Sequence, residues 1–426
     1  MMTEDDAQDL LRRMLDAAVG AADPARVLAS YLPEKPRGRC IILGGGKSAA
    51  SMARAVEQAW PDVDLTGIVV TRYGHAVPTD RITVREAAHP VPDAAAEAAT
   101  REIMEEAAKA GPDDLVLALI SGGGSSLLSL PRPPLTLDDL IAVNRLLLAS
   151  GLSISEMNKV RRRLSQVKGG GLARAAGKAR LVTLAISDVP GDDPEAIASG
   201  PTVPDPTAQA DLSYLADKLG PSLPQAAQDM LRTPSPDGEP FEPDYRLIAT
   251  PQASLEAAAE VARDAGVTPV LLGDSLEGEA RELGIVMAGI AKAVARHGTP
   301  VAPPAVLISG GETTVTVGDT KPGRGGRNTE FLLSLALALN GHPSIAAVAV
   351  DTDGIDGTED AAGAITGPSF PRAAARRGID TRRMLEMHDS FTVFEQLEYL
   401  VVTGPTLTNV NDFRAIVIHG QNNSRL

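Results

Sequence analysis

Short apolar runs bounded by glycine recur along the chain with segments of helical periodicity between them: Cys40–Leu43, Gly67–Val70, Leu115–Ile120 and Leu181–Ile186. Runs of that length with no polar face are strands buried on both sides, which must be covered by helices. The pattern therefore predicts an α/β fold with a mostly parallel sheet. At 426 residues the chain is longer than one hydrophobic core usually serves, and "RTPSPDGEPFEPD" (Arg232–Asp244) interrupts the alternation with four prolines. That stretch is the linker candidate. Beyond it come Tyr245–Ala249, Val267–Leu272, Ala305–Ser309 and Ile345–Asp351, again with helical stretches between. A second α/β domain follows, with expected boundaries at 1–240 and 241–426.

Charge and composition narrow the partners. Forty basic against 55 acidic residues give a net charge of −15, and aromatic residues for base stacking are scarce. Nucleic acid and anionic membrane are poor partners for such a chain. The N-terminus is acidic where a signal peptide would be basic, and no apolar run approaches the roughly 18 residues of a membrane span. Thr3 is placed to cap a first helix with Leu10, Leu11, Met14 and Leu15 on its inner face. The single cysteine, Cys40, sits in an apolar run as an inert thiol, consistent with a cytoplasmic protein. Six scattered histidines give no transition-metal spacing, so any metal is expected to be oxygen-ligated.

Three glycine turns follow strands. "CIILGGGKSAASMA" (Cys40–Ala53) meets a relaxed dinucleotide fingerprint through Gly44, Gly46 and Ala49, and Arg72 beyond the next strand hints at NADP. The acidic ribose ligand is missing, because that strand runs into Thr71 and Arg72. A Walker A loop also fails, since Ile41 stands where its first glycine belongs. Plain structural turn glycines remain an alternative for Gly45 and Gly46. The second turn, "ISGGGSSLL", places Ser121, Gly122, Gly123, Gly124, Ser125 and Ser126 where backbone amides gather an anion. It lacks the Gly-x-Ser-x-Gly of a nucleophile elbow, so anion binding is favoured over covalent serine catalysis. The third, "SGGETTVTV", carries Gly310, Gly311 and Glu312. Three such turns at strand ends, where open α/β sheets bind ligands, suggest a site.

Asn158–Arg180 holds eight basic residues and no acid. Val160, Leu164 and Val167 form an inner face and Lys159, Arg161, Arg162 and Lys168 surround it. A solvated charged face is one reading; a positive island for a polyphosphate, with Lys168 beside the Gly169–Gly171 turn, is the other. Carboxylates cluster in "ISDVPGDDPE" (Asp188, Asp192, Asp193) and "VDTDGIDGTED" (Asp351, Asp353, Asp356), and "GRGGRNTE" adds Arg324 and Arg327. Anion cradles, arginines and carboxylates together describe phosphoryl transfer from a metal-bound nucleotide.

These strings, with "KGGGLA" (Lys168–Ala173), "SDVPGDDPEAIASGPTVPDPT" (Ser187–Thr207), "GGRNTE" (Gly325–Glu330), "DTDGIDGTEDAAGA" (Asp351–Ala364) and "TGPTLTNVND" (Thr403–Asp412), resemble the type II glycerate kinase, or glycerate 2-kinase, family. Its C-terminal part is called the MOFRL domain. The resemblance spans nearly the whole chain in family order. It implies a Rossmann-like N-terminal domain, a smaller α/β C-terminal domain and an active site in the cleft between them. It also implies ATP, Mg2+ and transfer to the 2-hydroxyl of D-glycerate; a homodimer is compatible with it. Lys47, Asp188 and Arg327 match the positions carried over as catalytic. Gly45, Gly46, Ser121–Ser126, Lys168, Asp192, Gly310, Gly311, Glu312, Asn328, Asp351, Asp353 and Asn409 match those expected to bind substrate or nucleotide, and Asp188, Asp192 and Asp351 are the metal candidates. Two positions depart: Arg163 stands where the family commonly has histidine, and Leu407 where glycine is expected. The alternatives are an NAD(P)H-dependent hydroxypyruvate reductase and a non-catalytic sensor of an acidic metabolite.

Overall fold

The structure, a computed structural model, describes residues 2–237, 239–318 and 321–420. Contacts divide the chain into one unit of Pro24–Ala249 and another of Met1–Asp23 with Thr250–Leu426.

The first unit is built on six strands, β1 (Cys40–Gly45), β2 (Leu65–Arg72), β3 (Thr83–Ala87), β4 (Leu115–Ile120), β5 (Arg180–Ile186) and β6 (Asp244–Ala249). They are all parallel, in the order β3-β2-β1-β4-β5-β6. This is the doubly wound order, in which the chain reverses direction between β1 and β4 and leaves a crevice at their C-terminal ends. Both central strands are buried along their whole length, as their uninterrupted apolar sequences require. Cys40 begins β1, and burial pushes its thiol up to about 12. A satellite core joins the helices Leu137–Ala149, Ser213–Leu219 and Gln225–Leu231.

The second unit has a six-stranded sheet of β7 (Thr268–Gly273), β9 (Ala305–Ser309), β11 (Ile345–Asp351), β12 (Gly363–Thr366), β13 (Leu400–Val401) and β14 (Asp412–Ile418). Two short strands, β8 (Gly278–Glu279) and β10 (Thr313–Thr314), pair separately. The main order is β13-β12-β11-β14-β9-β7, and only β7 with β9 is parallel. The sequence alternation predicted the same unit reused; the sheet is instead mixed. Side chains divide by strand alternation: Leu307, Ala347 and Ile416 face the helices Ala280–His297 and Arg327–Leu339, while Ile308, Val348 and Val417 face the helices Glu4–Gly20 and Pro251–Asp264.

Two expectations about boundaries shift. β6, expected to open the second domain, pairs in parallel with β5 and completes the first sheet. The N-terminal helix, expected in the first domain, packs Leu10, Leu11, Met14 and Leu15 against the second sheet. Its start is as expected, with Thr3 and Asp6 forming a reciprocal cap at 3.1 and 2.8 Å. No helix among the described residues is long and apolar enough to cross a membrane.

Candidate active site

The predicted site residues fall into two groups, one in each unit. In the first unit, the turns after β1 and β4 lock together at the reversal point of the sheet. The Lys47 N–H donates to the Gly122 carbonyl at 2.8 Å, and the Ser48 N–H donates to Ser121 Oγ at 3.0 Å. Gly46 is a packing requirement, because a Cβ there would lie 2.2 Å from Ser121 Oγ. Gly123 has φ +78, and a Cβ on it would lie 3.0 Å from the His89 ring and 3.4 Å from Lys47 Cγ. The structural reading of Gly46 and Gly123 thus holds: the turns dock closely, and that docking sets the Lys47 side chain beside Gly123. Ser125 Oγ is 2.8 Å from Ser199 Oγ, and Ser126 Oγ donates to the Gly123 carbonyl at 3.1 Å.

The basic segment after this turn is not a uniformly solvated face, since Arg162, Arg163 and Lys168 are buried. Arg162 is buried and paired with Asp205 at 3.0 Å. Arg163 donates to the carbonyls of Thr207, Ala210 and Met230 at 3.0, 2.9 and 3.2 Å, and to that of Thr233. It ties the end of the helix Ile154–Arg163 to the loops around the satellite helices. Lys168 and Arg161 behave differently. Lys168 is buried, and its Nζ donates to the Leu128 carbonyl at 2.6 Å. Burial and the nearby Arg161 push it down to about 7. Arg161 donates to the amide oxygens of Asn144 and Asn158, each at 3.1 Å.

Asp188 and Asp192 follow β5, on the same edge of the sheet. Burial, and then the carboxylates of Asp193, Asp188 and Asp192, drive the Tyr245 phenol far above its ordinary range, which marks this loop as locally negative. Among the described residues no group of three or more His, Cys, Asp or Glu side chains is placed to hold a metal ion. The proposed trio of Asp188, Asp192 and Asp351 is divided between the two units.

In the second unit, Arg327 begins the helix Arg327–Leu339 and is held by three carboxylates. Its Nε donates to Asp412 at 2.9 Å, one terminal nitrogen to Glu312 at 2.6 Å, and the other to Asp351 at 2.8 Å. Burial alone would lower its pKa, but Asp412, Asp351 and Glu312 raise it above the ordinary arginine range. Asn328 donates to Asp412 at 2.7 Å. Asp356 accepts the Asn328 and Thr329 backbone N–H groups, both at 2.9 Å, and so satisfies the start of this helix. Asp353 receives the Ile355 N–H, and its own N–H donates to Asp351. Gly311 admits the backbone of Leu276, which a Cβ would meet at 2.3 Å, and the Gly310 carbonyl accepts from Arg414 at 2.8 Å. Asn409 accepts the Asn411 N–H at 3.3 Å. Asp412 and Arg414 were absent from the expected site. The available signal was the strand "DFRAIVI", where two charges alternate into an otherwise apolar run.

Comparison with known proteins gives the arrangement a lineage. Residues 10–232 match the family model described as "Domain of unknown function (DUF4147)", and residues 305–412 match the MOFRL family. A Pyrococcus horikoshii protein named glycerate 2-kinase is 36% identical over 97% of this chain and 98% of its own. The crystal structure of a Thermotoga maritima glycerate kinase superposes with a TM-score of 0.89 at 36% identity, covering 97% of this chain and 100% of that one. The chain belongs to the glycerate kinase family. An Agrobacterium vitis protein described as a hydroxypyruvate reductase is 58% identical over 97% of this chain and 94% of its own.

The two departures from the glycerate kinase pattern take different places in the fold. Arg163 spends its donors on backbone carbonyls. Leu407 has φ +63, the left-handed conformation that the expected glycine adopts without penalty.

Proposed function

We propose that the chain transfers the terminal phosphoryl group of ATP to the 2-hydroxyl of D-glycerate, giving 2-phosphoglycerate and ADP. The observation that carries the reading is the docking of the Lys47 turn onto the Gly122–Gly123 turn at the β1/β4 reversal. It sets a lysine beside amides suited to phosphate oxygens. In this reading Lys47 neutralises charge on the phosphoryl group in transit, and Asp188 orients the 2-hydroxyl and takes its proton. Arg327, in the second unit and held by Asp412, Glu312 and Asp351, is the third residue carried over as catalytic in this reading. Magnesium needs only one or two protein carboxylates when phosphates supply the rest of its shell, and Asp188 and Asp192 are suited to that role. The ion would supply neutralisation of phosphate charge. The reading carries with it a cytoplasmic location.

A reductase is the second reading, supported by the doubly wound strand order and by the name of the Agrobacterium relative. Against it, β2 itself ends in Thr71 and Arg72, without the acidic residue that holds the adenosine ribose of NAD in a dinucleotide fold. The purified protein, incubated with D-glycerate, ATP and magnesium, is expected to release ADP, with 2-phosphoglycerate identified by phosphorus NMR. With hydroxypyruvate and NADH it is expected to consume no NADH. NADH loss without ADP release would replace the kinase reading with the reductase.

A further inference from the structure

Beside the Ser125–Ser126 turn, wholly within the first unit, lies a cavity of about 270 Å³. Its lining mixes cationic, polar and apolar side chains. Ser126, Asn144, Arg145, Arg161 and Lys168 are among them, and among the described residues no aspartate or glutamate lines it. In a chain of net charge −15 that is a marked local excess of positive charge. Arg162 has a carboxylate partner, but Arg161 and Lys168 bond only to neutral oxygens among the described residues. Cations held away from water without a counterion are costly, and an anionic ligand offsets that cost. Burial and the neighbouring Arg161 lower the Lys168 pKa accordingly.

The helix Leu137–Ala149 forms a wall in which Leu140, Ile141 and Leu148 present apolar surface beside Asn144 and Arg145, and Val91 adds to it from a loop. Leu148 and Val91 are 73% and 52% exposed, so apolar surface is left open at the mouth. A three-carbon hydroxy acid has no use for such a wall. A flat heteroaromatic base does. The cavity also reaches Gly123, next to which the Lys47 side chain packs.

We propose that this cavity is the nucleotide site, with a purine base against Leu140, Ile141 and Leu148, the phosphate chain along Arg161 and Lys168, and the terminal phosphate directed toward Lys47. The assignment rests on the kinase reading and goes beyond it, because it places the donor in the first unit alone and identifies the residues that hold the base.

Titration calorimetry of ADP into the full chain, without glycerate, tests it. Leu148→Glu changes an exposed side chain and leaves the core intact; Arg161→Gln removes the charge. Each is expected to weaken ADP binding by about tenfold or more, equivalent to about 1.4 kcal/mol. Melting and the KM for glycerate should stay near wild type. A wild type that turns over glycerate while both variants bind ADP normally would overturn the pocket assignment and leave the kinase reading standing. A rise in glycerate KM with unchanged ADP affinity would also overturn it, giving the cavity to the acid substrate. A wild type that neither binds ADP nor releases it from ATP would remove both. Should Arg161→Gln melt early, Leu148→Glu decides.

Discussion

Arg327 and Asp412 meet at 2.9 Å through Nε and one carboxylate oxygen, while the other oxygen of Asp412 takes an N–H of Arg414. Asp412 and Arg414 are both 0% exposed in this pair. The carboxylate thus joins a guanidinium at the helix start to one inside the sheet. Removing one member of a buried ion pair leaves the others uncompensated, at a cost of about 3–5 kcal/mol. Asp412→Asn is expected to lower unfolding free energy by that order in urea titrations. Adding Arg414→Met should recover part of the loss. A single variant within about 0.5 kcal/mol of wild type would show that the pair contributes little.

Lys47 packs beside Gly123 and follows a strand-end turn, a position suited to a charge that acts in the transition state. Lys47→Met should reduce kcat by on the order of 10²-fold, the scale of losing one preorganised electrostatic contact. Its effect on KM should be smaller. Near-normal turnover in steady-state assays would return this loop to a purely structural role.

Lys168 gives a pH signature. Its pKa falls from 10.5 in the unfolded chain to about 7 in the folded protein. Between those values the unfolded chain binds more protons, so this group makes stability rise as pH increases from about 7 toward 10.5. Below about 7 the full penalty of a buried charge is present. Lys168→Met should therefore raise the melting temperature at pH 7 and flatten its climb between pH 7 and 9. Parallel pH profiles for the two proteins would mean that Lys168 is better solvated than its position indicates. In the wild type, a bound polyanion should draw a proton onto Lys168, so ADP titrations near pH 8 should show an enthalpy that varies with buffer ionisation heat.

The first sheet was legible where strands are wholly or mostly buried: β1, β2, β4 and β5 read as apolar runs ending at turns. β3 was not, because "TVREA" lies at the sheet edge with its first four residues partly or fully exposed. β14 was hidden for the opposite reason. Its charges are buried, but their partners Arg327, Asn328 and Gly310 lie at least 84 residues away in sequence. An amphipathic helix such as Glu4–Gly20 declares that it packs, but its spacing does not say against which sheet. The basic segment could not be apportioned from sequence: eight positive charges look alike there, whereas the fold uses Arg163 to bind carbonyls and leaves Lys168 lining a cavity.

Leu407 tests how the chain tolerates its departure from the family pattern. Its φ of +63 carries a penalty of roughly 1–2 kcal/mol for an L residue. The turn is held to the Asp351–Asp353 loop by Thr406, whose N–H donates to the Asp353 carbonyl at 3.1 Å. Leu407→Gly should stabilise by up to about 1 kcal/mol, since relief of strain is partly offset by the greater entropy of an unfolded glycine. A loss of stability in urea titration would show that the half-buried leucine side chain contributes more than its backbone costs.

Asp188 separates three roles by measurement. It follows β5 in a turn whose backbone is already bonded by neighbours: Ser187 Oγ accepts the Val189 N–H at 3.3 Å, and Asp193 accepts the Glu195 N–H at 2.9 Å. Asp188→Asn keeps the shape and removes the charge. If the carboxylate takes the proton of the glycerate hydroxyl, kcat should fall by about 10²-fold or more. The melting temperature and the magnesium concentration for half activity should then hold steady. If it also holds magnesium, that concentration should rise in the variant, and excess magnesium should restore part of the rate. A turn-capping role predicts the reverse combination, an early melt with kcat largely intact. Steady-state rates across a magnesium series, run beside a melting curve, distinguish these outcomes, and a destabilised variant with full kcat would take Asp188 out of the catalytic group.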